Sequence, residues 1–158
     1  MADNPAYRDD SQHGDGAHFA EVPVDADPGE VQLRRMLGAF AACRVLNPKT
    51  ARSRLIGGMI WSVSSVLRER AVVDPRFGQL VNHDLAEHHV PVHADVPDVD
   101  PFFVPEEDDK GNLLGICCSG AAIGNAVFNA TGVRVRDFPI TLDTRCWRDC
   151  RNPVIETG

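Results

Sequence analysis

A chain of 158 residues with 43% hydrophobic and 25% charged residues has the length and composition of one soluble domain with a sizeable core. Its formal charge of −7, with no basic stripe, argues against a nucleic-acid or anionic-membrane surface. No apolar run approaches membrane-spanning length, and the opening residues carry neither the basic nor the apolar region of a secretion signal, so the expected location is the cytoplasm. Five cysteines (Cys43, Cys117, Cys118, Cys146 and Cys150) form no even framework, and free thiols in a reducing compartment are expected.

Residues 1–15 are polar and rich in Gly and Asp, which predicts a mobile N-terminus. Residues 18–37 (HFAEVPVDADPGEVQLRRML) predict two strands, with Ala20, Val22 and Val24 alternating before a turn at 25–29 and Val31 and Leu33 after it. Pro23 lacks an amide donor and puts the first strand at a sheet edge. Asn47-Pro48 is a strong helix start, a capping side chain followed by proline at the first helical position. Leu55, Ile56, Met59, Ile60, Val63, Val66 and Leu67 then keep to one face, predicting a long amphipathic helix that ends near Glu69 and Arg70. Val72-Val73, a turn over 74–78 and residues 79–81 predict a second short hairpin. From 83 to 112, Pro91, Pro97, Pro101 and Pro105 forbid a continuous helix and leave room for extended chain only around Phe102, Phe103 and Val104.

Residues 120–131 predict a second helix, built of small residues. Ser119 is its N-cap, Ile123, Ala126, Val127 and Ala130 form its buried face, and Gly132 is a left-handed C-cap. Val133, Val135 and Phe138 suggest a short extended exit. The fold class is α+β: short hairpins, one long amphipathic helix, a wrapping loop and a small-residue helix.

Four phrases carry a family resemblance: 16–21 (GAHFAE), 38–58 (GAFAACRVLNPKTARSRLIGG), 82–98 (NHDLAEHHVPVHADVPD) and 125–143 (NAVFNATGVRVRDFPITLD). In this order and near this spacing they resemble the C-terminal part of the molybdopterin-binding large subunit of the xanthine dehydrogenase and aldehyde oxidase family, closest to its bacterial aldehyde dehydrogenase branch. The resemblance covers 16–143 and leaves 144–158 as a non-homologous tail. It implies an oxidoreductase that uses molybdopterin. The implied partners are the remaining large-subunit sequence, an FAD subunit and a [2Fe–2S] subunit. The regions upstream of these phrases supply much of the cofactor cradle in the family, and for this chain alone no bound cofactor is expected.

The resemblance also implies a general base, a glutamate on a Lys-Gly-Ile-Gly-Glu-type loop just before the small-residue helix. Here 107–115 (EDDKGNLLG) aligns with the segment before that loop and 116–125 (ICCSGAAIGN) with the segment after it. The loop between is missing. Aligning Lys110-Gly111 with the loop instead puts Leu113 near the glutamate position, and either way the base is lost. No residue is assigned as catalytic, and catalytic silence is the expectation. A non-catalytic docking or regulatory protein, or one half of a split subunit, is the alternative.

The cofactor-binding residues implied by the resemblance are Arg54, Gly57, Gly58 and Gly115. Arg54 stands where the family usually has a glutamine that can bond the pterin. A guanidinium is larger, charged and donor-only, so it cannot reproduce the paired donor and acceptor of an amide, and a plain surface arginine is the competing reading. Gly57-Gly58 suits close approach of backbone to pterin, or equally tight helix packing. Gly115 sits at the junction that lacks the loop.

Other constellations have blander readings. His83, His88, His89 and His93 share no helix face, and no metal ligand is assigned among them. Cys117-Cys118 before a helix N-terminus suits a lowered thiol pKa, but also plain burial. Cys146 and Cys150 could bridge or clip a metal, or lie in an unrelated tail. Residues 95–100 (DVPDVD) lack the loop glycine and terminal glutamate of a calcium loop.

Overall fold

The computed structural model describes residues 14–25, 29–42, 44–105 and 119–142. The predicted mobile terminus lies almost wholly outside them, as does the tail from 144. Strand β1 (Asp15–Glu21) and strand β2 (Arg35–Ala41) pair antiparallel with Glu21 opposite Arg35 and Asp15 opposite Ala41. Between them the chain continues as a two-stranded ribbon, with a bridge from Val24 to Val31 and bonds from Asp25 N to Glu30 O (3.0 Å) and from Gln32 N to Pro23 O (3.1 Å). The register shifts by one residue where β2 begins. Arg34 N donates to Glu21 O at 3.0 Å, while Arg35 is the partner that faces Glu21, so two residues oppose one. This is a β-bulge, and it divides the twisted ribbon from the sheet proper.

Helix α1 (Pro48–Leu67) starts as the sequence predicts. The Asn47 side chain accepts the Thr50 amide at 3.2 Å, and Pro48 occupies the first turn. It stops at Leu67, two residues short of expectation. The Ser64 carbonyl takes the amides of both Arg68 and Glu69, at 2.9 and 2.8 Å, and the Ser64 hydroxyl donates to the Glu69 carboxylate. The short hairpin follows as β3 (Val73–Asp74) and β4 (Gln79–Leu80), its turn closed on Gly78 at φ +67°.

The proline-rich stretch holds more regular structure than its composition predicts. A one-turn 3-10 helix spans His93–Asp95, and strand β5 (Asp98–Phe103) runs parallel to β2, giving the order β1-β2-β5. The expected extension around 102–104 therefore starts four residues early and includes Pro101. Asp98 N donates to Arg34 O and Val104 N to Phe40 O, so the even-numbered residues of β5 bond to β2 and the odd-numbered ones face outward. Pro101 is thus at an outward position of an edge strand, where its missing N–H breaks no ladder bond.

Both helices cover one face of the sheet. Met36 and Phe40 from β2, Leu55, Met59, Val63 and Val66 from α1, and Ile123 and Val127 from α2 (Gly120–Thr131) form one buried cluster with Ile140. Gly38 leaves room for this layer: a Cβ there would lie 2.6 Å from the Phe40 ring and 3.2 Å from Met59 Sδ. Gly132 caps α2 at φ +71° as predicted. Ala130 is exposed rather than buried, and 133–138 form no strand. The exit instead folds back through a cis Phe138–Pro139 bond, and Ile140 N donates to Val66 O at 2.6 Å, which satisfies one of the orphan carbonyls at the end of α1.

Candidate functional site

Of the four residues singled out for cofactor contact, three lie on α1. Arg54 is exposed, and no described residue pairs with it. Gly57 is exposed too, and a Cβ added to it would meet nothing within 4 Å. Gly58, its neighbour, is buried. The two glycines therefore differ: Gly58 faces the interior, and Gly57 leaves bare helix backbone facing open space. Gly115 lies outside the described residues, as do Cys43, Cys117, Cys118, Cys146, Cys150 and the whole 106–118 junction.

Sequence reasoning missed Trp61. It is 58% exposed and falls seven residues after Arg54 and four after Gly57, on the same helix face. That i, i+3, i+7 spacing was the available signal. Together the three residues make a strip with a guanidinium at one end, an indole at the other and backbone between. The strip is anchored from below. Arg52 at the start of α1 donates to the Pro101 carbonyl and to the Asp100 carboxylate, each at 3.1 Å.

The strip is open rather than concave, so it can form one wall of a binding site but not enclose a ligand. A cleft of about 520 Å³ lies elsewhere on the described residues. Val31, Leu33, Leu67 and Ile140 line it, with the Arg68–Asp95 ion pair (2.8 Å) at its rim. Fourteen residues of helix, roughly 21 Å, separate Arg68 from Arg54. A pterin needs acceptors and donors around its edge; Arg54 offers donors only, and the Gly57 backbone, inside α1, is bonded along the helix. The described residues alone do not fit the whole cofactor.

The remaining candidates are held by local bonds. Ser119 occupies the N-cap position of α2 but makes no capping bond. Its side chain is fully buried and its Oγ has no partner, because the residue takes a helical φ/ψ of −78° and −9° instead of an extended one. Gly120 sits against α1, where a Cβ would approach Val66 Cγ2 to 2.9 Å. His83 Nδ1 is 3.0 Å from the Val81 carbonyl oxygen, and His88 Nδ1 is 3.5 Å from Asn82 Nδ2. No group of three or more His, Cys, Asp or Glu side chains converges among the described residues. Asp95 and Asp100 bind different arginines, Arg68 and Arg52. Burial lowers the pKa of His18 on β1. Its Nδ1 has no partner and its ring meets Phe40 edge-on at 5.2 Å. Among the described residues no helix is long and apolar enough to cross a membrane.

Comparison with known proteins carries the identification further than this geometry. The family model of the molybdopterin cofactor-binding domain matches residues 2–97. The aldehyde oxidoreductase molybdenum-binding subunit PaoC of Escherichia coli K12 is 52% identical over 134 residues, which cover 80% of this chain and 18% of PaoC. The putative xanthine dehydrogenase molybdenum-binding subunit XdhA of the same strain is 31% identical over 133 residues, again 80% of this chain and 18% of the relative. Among solved structures, quinoline 2-oxidoreductase from Pseudomonas putida 86 superposes with a TM-score of 0.74 at 23% identity, over 88% of this chain and 19% of that one. The aldehyde oxidoreductase of Desulfovibrio gigas gives 0.69 at 23% identity, over 84% and 15%. The chain thus spans under a fifth of the length of these relatives, and the two superpositions speak to the fold. With most of its sequence matched, this chain belongs to the molybdopterin cofactor-binding domain family, and it is similar to a part of aldehyde and xanthine oxidoreductase molybdenum-binding subunits.

Proposed function

We propose that this chain contributes one wall of the molybdopterin site in an aldehyde-oxidoreductase-type large subunit, through Arg54, Gly57, Gly58 and Gly115, and that it supplies no catalytic base. The observation that carries the reading is the strip on α1: a free guanidinium beside helix backbone with empty space above it, in a chain 52% identical to a molybdenum-binding subunit. Arg54 would donate to an acceptor on the cofactor, Gly57 would let it approach the helix closely, and Gly58 would hold that stretch of α1 to the sheet. Molybdopterin, when bound, would supply the redox chemistry. The other wall comes from further large-subunit sequence, and an FAD subunit and a [2Fe–2S] subunit complete the enzyme in the cytoplasm.

The open sheet face also supports an incomplete unit. Opposite the helices, register brings Phe19 beside Leu37, Ala17 beside Ala39, and Ala39 in turn beside Phe102. Phe19 and Phe102 are 59% and 46% exposed, an apolar band of the kind that partners cover. The same band suits a docking or regulatory protein, the reading that the missing glutamate loop favours.

The test is to purify the chain alone and after co-expression with PaoC from which the matching 134 residues have been removed. Molybdenum by mass spectrometry, and pterin fluorescence after oxidation, should appear only in the co-expressed sample. Stoichiometric molybdenum in the lone chain would overturn the one-wall reading. A complex without molybdenum would favour the docking protein.

A further inference from the structure

The two edges of the main sheet are finished differently. On β5 the outward-facing residues are Val99, Pro101 and Phe103. Pro101 has no amide to offer and its carbonyl is taken by Arg52 at 3.1 Å, so this edge is interrupted at its middle position. On β1 the bulge bond from Arg34 N to Glu21 O directs the odd-numbered residues towards β2. The amides and carbonyls of Gly16, His18 and Ala20 therefore point out from the sheet. No described strand pairs with them, and between its terminal acids Asp15 and Glu21 the strand has no proline, no lysine and no bulge. The Gly16 and Ala17 positions are exposed.

We propose that the outer edge of β1 is a strand-addition site, and that its occupant is an extended segment of the remaining large subunit, which would extend the three-stranded sheet to four. The proposal rests on the reading of the chain as part of a larger subunit. A second copy of this chain fits poorly. Antiparallel pairing about His18 sets Asp15 against Glu21, and in-register parallel pairing sets each acid against itself. Like charges directly opposite one another destabilise a ladder. The edge instead suits a strand with Lys or Arg facing Asp15 and facing Glu21, whose exposed carboxylate also lies 3.5 Å from Arg34, and with small or apolar residues between. The relatives have such sequence to spare, since the matched stretch is 18% of PaoC. Main-chain bonds would give the affinity and the two terminal acids the register.

Amide hydrogen exchange on the complex with the shortened PaoC tests this, run beside a complex of that shortened PaoC with its own excised stretch. The Gly16, His18 and Ala20 amides should slow at least about tenfold on assembly, while Ala17 and Phe19, already bonded to β2, should change little. Ala20→Pro removes an outward amide, as Pro101 does on the other edge. It should weaken assembly at least about tenfold and leave the melting temperature of the lone chain close to the parent value. A complex whose three edge amides exchange as fast as in the lone chain overturns the edge proposal and leaves the large-subunit reading standing. No complex with this chain, where the excised stretch does form one, overturns both. Protection that appears in the lone chain on raising its concentration would make a second copy the occupant and overturn the assignment.

Discussion

Arg52 on α1 and Pro101 on β5 are joined by a bond of 3.1 Å from guanidinium to carbonyl, and the same guanidinium reaches Asp100 at 3.1 Å. One side chain thus ties the first turns of the long helix to the outer rim of the sheet and fixes how the exposed strip above it is presented. Both charged groups are about half exposed, at 45% and 50%, so solvent screens much of the ion pair, and the carbonyl bond carries most of the effect. Arg52→Ala should cost about 1 kcal/mol in urea unfolding. Arg52→Lys should recover little of it, because an ammonium cannot serve both acceptors with a planar fork. Faster amide exchange along β5 should accompany the loss, and unchanged exchange there would mean that the strand is held by β2 alone.

The glycines of the two helices should respond in opposite directions. At Gly120 a Cβ would come to 2.9 Å of Val66 Cγ2, and Val66 is a stiff β-branched residue in a helix. Gly120→Ala should cost about 1–3 kcal/mol, and Val66→Ala in the same chain should relieve part of the clash, giving a clear coupling in a double-mutant cycle. At Gly57 nothing stands within 4 Å, so Gly57→Ala should stabilise the lone chain by about 1 kcal/mol through helix propensity. If Gly57 admits the pterin, the same substitution should lower molybdenum retention in the co-expressed complex. Full retention would leave Gly57 with no role in binding.

The contrast shows where the sequence was legible. Asn47-Pro48, the seven apolar residues of α1 and Gly132 announce local structure because each acts within one or two turns of its own chain. Gly57 and Gly58 look alike in sequence and part company only once the sheet defines which side of α1 is inside. Pro101 misleads for a related reason. Proline excludes a central strand, but whether it excludes an edge depends on which way its nitrogen faces, and that is set by the register with β2. Ser119 was legible in position but not in conformation. Trp61 was available at helical spacing from Arg54, yet an exposed indole is informative only when its exposure is known.

Acid should weaken the fold through His18. Burial lowers its pKa from 6.5, so the unfolded chain takes up a proton near that value while the folded chain resists until lower pH. Between the two the unfolded state binds more protons, and stability rises with pH. The contribution is complete above about 6.5 and is lost as pH falls through the folded value. Chemical unfolding between pH 8 and 5 should show this decline in the parent, with a shallower one in His18→Gln, whose side chain does not titrate. Parallel curves would mean that the surface histidines and carboxylates account for the slope.

The last prediction concerns the junction between Gly115 and Ile116. On the proposed reading, the glutamate-bearing loop of the family is missing at this point. An assembly containing this chain should therefore lack hydroxylase activity even when it retains molybdenum. The acids nearest in sequence, Glu106, Glu107, Asp108 and Asp109, precede Gly115 by six to nine residues, and the resemblance places 107–115 before the loop. A positioned acid or base typically contributes about 10²–10⁴-fold, and geometry is as necessary as the carboxylate itself. Inserting Lys-Gly-Ile-Gly-Glu-Ile-Gly between Gly115 and Ile116, together with Arg54→Gln, should restore measurable aldehyde or purine turnover in the reconstituted complex. The same insertion with glutamine in place of its glutamate should stay silent at equal molybdenum content, which separates loss of the base from loss of the cofactor. Substantial turnover by the unmodified assembly would show that another residue takes the proton, and the assignment of catalytic silence would fall.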